Sequence, residues 1–130
     1  MLPGETVEKI KLLCGKHKEI ALLYVFGSVA RGDAGPLSDY DFAVYLKEIE
    51  PQKRFEAKLS LIGELTSILQ SNKVDVVVMN DADNINLKYA IIKEGKLICQ
   101  KEPFKMIIES KILNEYFDFR IFIDKYQKTK

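Results

Sequence analysis

Histidine and cysteine are scarce in this sequence, and neither sign of charge prevails. One residue of 130 is His and two are Cys. A lone His17 builds no cluster, and Cys14 and Cys99 form no CxxC, so nothing has the spacing of a zinc site. Both cysteines sit among apolar neighbours, KLLCGK and KLICQK, and read as two reduced core thiols of a cytosolic protein. Lys and Arg number 20 against 19 Asp and Glu, a net charge of +1. No global field therefore argues for nucleic acid or for a membrane surface. No apolar run approaches the roughly 18 residues that span a bilayer. The opening MLPGETVEKIK carries acids early and has no signal-peptide core, so a cytoplasmic protein is expected. Repeats, linkers and low-complexity segments are missing too, and the length suits a single domain, 1–130.

What the sequence does contain is alternation. Val7, Ile10, Leu12 and Leu13 have helical spacing after PGET, with Thr6 or Glu5 available at the start and a stop near Gly15 to His17. EIALLYVFG is a continuous apolar run, the mark of a buried strand. SVARGDAGPLS has turn chemistry. DYDFAVYL is a second strand, with Asp39, Asp41, Ala43 and Tyr45 on one face and Tyr40, Phe42, Val44 and Leu46 on the other. The segment from Pro51 to about Gln70 is helical, with Phe55, Leu59, Ile62, Leu65 and Leu69 as its apolar stripe. KVDVVVMN is a β-branched strand. NINLKYAIIKEG is a short helix ended by Gly95, KLICQ a short strand, and the chain from Pro103 a long amphipathic helix whose final QKTK frays. The first two strands are expected to pair antiparallel. The fold class is α/β (α+β), a small mixed sheet flanked by helices.

The chemistry concentrates in YVFGSVARGDAGPLSDYDFAVYL. Strand side chains repeat every two residues, so Asp39 and Asp41 emerge on one face, several ångströms apart. Two anions so placed raise one pKa unless a cation sits between them. A hard cation such as Mg²⁺ takes one or two carboxylates plus substrate phosphates. Asp75 interrupts an otherwise apolar strand, where a charge is costly unless it is paired, metal-bound or at an exposed end. Beside the first two acids it completes a three-carboxylate cup for two ions. Gly27 lets backbone approach a ligand, Ser28 adds a donor, and a short helical turn at SVARG would aim free N–H groups at an anion. Arg31 lies one turn on and suits a phosphate.

Gly27-Ser28, ten residues, then Asp39-Tyr40-Asp41 resembles the Gly-Ser-x10-Asp-x-Asp signature of the DNA polymerase beta-like nucleotidyltransferase superfamily. The fuller GSVARGDAGPLSDYD is similar to the minimal nucleotidyltransferases, the MNT or MntA-like antitoxins. Ala30-Arg31-Gly32 and Ser38 match, as do KVDVVVMNDAD and LKYAIIKEGKLICQKEP further on. The resemblance implies a polymerase-beta-like catalytic core with Mg²⁺ on Asp39, Asp41 and Asp75. Gly27, Ser28, Arg31 and Ser38 would serve the nucleotide, which is ATP. It implies a HEPN-domain ribonuclease toxin as partner, silenced by transfer of AMP to one of its tyrosines, with Asp75 activating the acceptor hydroxyl. Transfer to a small molecule such as an aminoglycoside, and inhibition by docking alone, remain open. Neither membrane contact nor direct nucleic-acid binding is expected.

The other conspicuous residues have plainer readings. His17 reads as a solvated residue at a helix end. Tyr24 and Tyr40 read as packing. Phe104, Tyr116, Phe117, Phe119, Phe122 and Tyr126 read first as core, with part of the series open as a partner-docking surface.

Overall fold

The structure, a computed structural model, describes residues 2–35, 38–47 and 49–128. Pro36 of the expected turn and the end of the terminal QKTK lie outside them. Four strands form the sheet: β1 (Ile20–Phe26), β2 (Tyr40–Leu46), β3 (Val74–Val78) and β4 (Lys96–Gln100). Their order is β3-β2-β1-β4. The central pair β1–β2 is antiparallel, as is β1–β4, while β2–β3 is parallel. The parallel step needs a crossover, and α3 (Pro51–Leu69) supplies it. The other helices are α1 (Gly4–Lys16), α2 (Gly27–Arg31), α4 (Ile85–Glu94) and α5 (Phe104–Lys128).

Both faces of the sheet are covered. On one, Ile10 and Leu13 of α1 and Leu61 and Leu65 of α3 pack on Leu23, Val25, Phe42, Val44 and Val76. On the other, Ile91 of α4 and Ile108 and Ile112 of α5 pack on Leu22, Tyr24 and Ala43. The expected division of β2 holds. Phe42, Val44, Leu46 and Tyr40 turn to α1 and α3, and Ala43 and Tyr45 turn to α4 and α5.

Two side chains fix the frame from unexpected places. Tyr24 is buried at mid-strand, and its hydroxyl donates to Glu109 Oε2 of α5 at 2.6 Å, so a phenol in the core keeps a partner. Burial and that carboxylate raise its pKa well above the usual phenol. Asn80, just past β3, grips the end of β2 with both ends of its amide. It accepts from Leu46 N–H at 2.9 Å and donates to Leu46 C=O at 2.8 Å.

Several expectations are corrected. Cys14 and Cys99 are joined in a disulfide across 85 residues, not two separate reduced thiols. The helical face of α1 that buries Cys14 lies over the sheet at β4, which sequence spacing cannot show. His17 is not freely solvated; Nδ1 meets Glu19 at 3.1 Å and Nε2 meets Glu64 at 2.9 Å. No side chain caps α1, which starts from Pro3 without help from Glu5 or Thr6. Gly95 ends α4 in an extended conformation rather than a left-handed one. It is needed because a Cβ there would strike the carbonyls of Ile91 and Val25. The stripe expected on α3 is rotated: Leu61 and Leu65 are buried, and Phe55 and Leu59 stand exposed. The aromatic series of α5 is mostly outside the core, since the helix runs on past the sheet. Phe117, Phe119, Phe122 and Tyr126 are exposed, and among the described residues of this helix only Ile108 and Ile112 are buried. Tyr116 stacks on Tyr89 of α4, with ring centroids 3.7 Å apart.

Candidate active site

The chain turns sharply where β1 ends. Gly27 has φ +74°, the left-handed region, and is the first residue of α2. The space its Cβ would fill is taken by the Asp41 carboxylate. Backbone and carboxylate thus approach as no other residue would allow, and a ligand held by one is within reach of the other. α2 closes on Gly32, also left-handed at φ +81°. The helical turn expected at SVARG is present, with Val29 and Ala30 buried to anchor it and Ser28 half-buried at its start.

The strands bring the acids together. Phe26 of β1 is paired with Asp41 of β2, and Asp41 with Asp75 of β3. Asp39 precedes β2 and is exposed, as is Asp75, while Asp41 is part-buried. Asp41 and Asp75 share the face of Ala43, Tyr45 and Val77, on the side of α4 and α5. Burial first, then the charges of Asp75 and Asp39, raise the Asp41 pKa; Arg31 acts in the opposite sense.

Among the described residues no set of three or more His, Cys, Asp or Glu side chains is drawn into a ready metal cluster. The donor chemistry nevertheless fits a hard divalent cation. All three groups are carboxylates, and the innermost is destabilised as an anion by the other two.

The remaining expected residues divide. Arg31 lies beside this cup and is tethered by acids, its Nε 3.3 Å from Asp33 and its Nη1 3.8 Å from Glu94 of α4. Ser38 is turned elsewhere. Its Oγ accepts from Gly35 N–H at 2.9 Å, and it lines a cavity of about 460 Å³ with Val29, Tyr40 and Lys73. Glu94 is the residue that sequence reasoning missed. A glutamate in the last turn of α4, on an exposed side, gives no signal until α4 is seen to touch α2.

The sequence model of the family described as "Polymerase beta, Nucleotidyltransferase" matches residues 8–104. A comparison with curated proteins gives no match. Several solved structures are similar. A chain of a toxin–antitoxin complex with AMP-PNP is 24% identical with TM-score 0.69, covering 93% of this chain and 98% of that one. A chain of the MntA–HepT toxin–antitoxin is 22% identical with TM-score 0.68, covering 96% and 99%. A chain of the tri-AMPylated Shewanella oneidensis HEPN toxin in complex with MNT antitoxin is 24% identical with TM-score 0.66, covering 95% and 97%. At such identities the likeness is one of fold. Among the described residues no helix is long and apolar enough to cross a membrane.

Proposed function

Because the chain belongs to the polymerase beta nucleotidyltransferase family, we propose that it moves AMP from ATP to a tyrosine of a HEPN-domain ribonuclease toxin and so acts as that toxin's antitoxin in the cytoplasm. The observation that carries the reading is the Gly27–Asp41 contact, with Asp39 and Asp75 on the same side. It is supported by the relatives, whose complexes are described with AMP-PNP and with an AMPylated HEPN toxin.

Asp39, Asp41 and Asp75 would hold Mg²⁺, which supplies charge neutralisation for a triphosphate and relieves the repulsion among the three acids. The chain's own groups do the rest. The backbone at Gly27 and the Ser28 hydroxyl hold phosphate oxygens. Arg31, released from Glu94, pairs with the phosphate tail. Asp75, exposed at the sheet edge, accepts the proton of the acceptor hydroxyl, which at a pKa near 10 needs a base. The tyrosine oxygen bonds to the α-phosphorus, the bond from that phosphorus to the bridging oxygen breaks, and pyrophosphate leaves. Holding both partners in place removes much of the entropic barrier.

The test is transfer of label from α-labelled ATP to the HEPN protein with Mg²⁺ present. Wild type labels the toxin on tyrosine and Asp39→Ala/Asp41→Ala does not. Equal labelling by both would overturn the assignment. Docking alone is the second reading, favoured by the exposed Phe117 and Phe122 of α5. Under it the double variant protects cells from the toxin as well as wild type does.

A further inference from the structure

β3 is the edge strand on the active-site side of the sheet, and its outer side has no backbone partner among the described residues. Natural edges are blunted by lysine, proline, bulges or a covering element. Here the strand's own five residues, Val74, Asp75, Val76, Val77 and Val78, include neither lysine nor proline. Beside it runs a groove of about 310 Å³, walled by β3 from Asp75 to Val78, by Phe55 and Lys58 of α3, and by Asp81 and Ala82 just past β3. Phe55 is 58% exposed, and Leu59, one turn further along α3, is 53% exposed. These are the two residues that the apolar stripe of α3 leaves outside the core.

We infer that this groove holds an extended segment of the acceptor polypeptide, added to the sheet as a further strand beside β3. Two features choose that occupant. An open strand edge is complemented along its length by the N–H and C=O groups of another main chain, which a drug-sized acceptor lacks. The groove also runs into the site, because Asp75 is both its end wall and the residue paired with Asp41. A chain lying along β3 therefore carries its hydroxyl to the carboxylate that takes the proton. Main-chain pairing gives hold without sequence demand, and Phe55 with Leu59 gives the apolar grip that favours one partner.

The inference rests on the polypeptide-acceptor reading above, and its test is separable from it. Amide exchange of the full-length Asp39→Ala/Asp41→Ala protein is followed with and without the HEPN protein, so that no chemistry is needed. Slowed exchange at Val76 and Val78, whose N–H groups point away from β2, is expected on binding. Phe55→Ser/Leu59→Ser in the otherwise wild-type chain is expected to raise KM for the HEPN protein at least tenfold, about 1.4 kcal/mol, with kcat within about twofold. Unchanged exchange at β3, or a wild-type KM in the serine variant, overturns the groove while label transfer by wild type leaves the function standing. If wild type transfers no label, the function falls, and exchange at β3 still decides whether a polypeptide lies there.

Discussion

The two faces of this sheet are built from the same strands and do different work. The face under α1 and α3 is filled mainly by Leu, Ile, Val and Phe side chains, with no carboxylate among its described core residues. The face under α4 and α5 uses the alternate residues. It holds a buried phenol on a glutamate at its middle and three carboxylates at one end. The period of two lets one strand serve both. β2 gives Phe42 and Val44 to cohesion and, on the proposed function, Asp41 to chemistry within four residues. Stability and chemistry are thus separable by face, and substitutions on opposite sides of one strand should fail in opposite ways.

The sharpest break is Asp41→Ala. Label transfer should fall by about 10³-fold or more, the scale of losing a group that stabilises transition-state charge. Thermal stability of the metal-free protein should hold or rise, because burial and two neighbouring acids already disfavour this carboxylate. A parallel fall in Tm would show that the faces are not separable. On the other side, Leu65→Ala removes a fully buried side chain. It should cost about 3 kcal/mol in denaturant unfolding, with nucleotide affinity unchanged in the folded fraction. Gly27→Ala sits on the boundary and should do both. A left-handed φ costs a non-glycine residue about 1–2 kcal/mol, and the new Cβ displaces the Asp41 carboxylate. Calorimetry would show lost ATP binding beside a modest fall in Tm. Tyr24→Phe leaves Glu109 without its phenol donor and should cost about 1 kcal/mol, with little change in transfer.

The smallest effect is at His17, on the α1/α3 side. Burial lowers its pKa, but the hydrogen bonds to Glu64 and Glu19 outweigh that, and the net shift is upward from 6.5. A raised histidine pKa stabilises fully below the unfolded value and less as pH rises through the folded one. Tm should drift down from about pH 6 to 8 in wild type and less in His17→Gln. Equal slopes in the two proteins would discount the pairing.

Much of this was legible beforehand, and the residues show why. The strands, the facing of β2 and the shared side of Asp39 and Asp41 follow from period-two alternation, a local property. The turn at SVARG follows from Gly27 and from the polar break it opens. What stayed hidden depends on partners far apart in sequence. Nothing near Tyr24 names Glu109, and nothing near Cys14 names Cys99. His17 finds Glu64 only because α1 and α3 lie side by side. Helical periodicity in α5 and α3 states which residues share a face, not whether anything covers it. For that reason Phe117, Phe122, Phe55 and Leu59 read as core and are exposed.

The amide of Asn80 has a consequence at the far end of the same strands. Parallel strands rich in valine have little to stop them slipping along one another, since one valine packs much like the next. A slip of a single residue would turn Asp75 to the α1/α3 side, away from Asp41. Asn80 takes hold of both polar groups of Leu46, which only one alignment permits. It acts as a ratchet pawl, so that the alignment of two acids at one end of the sheet is set by a neutral side chain at the other.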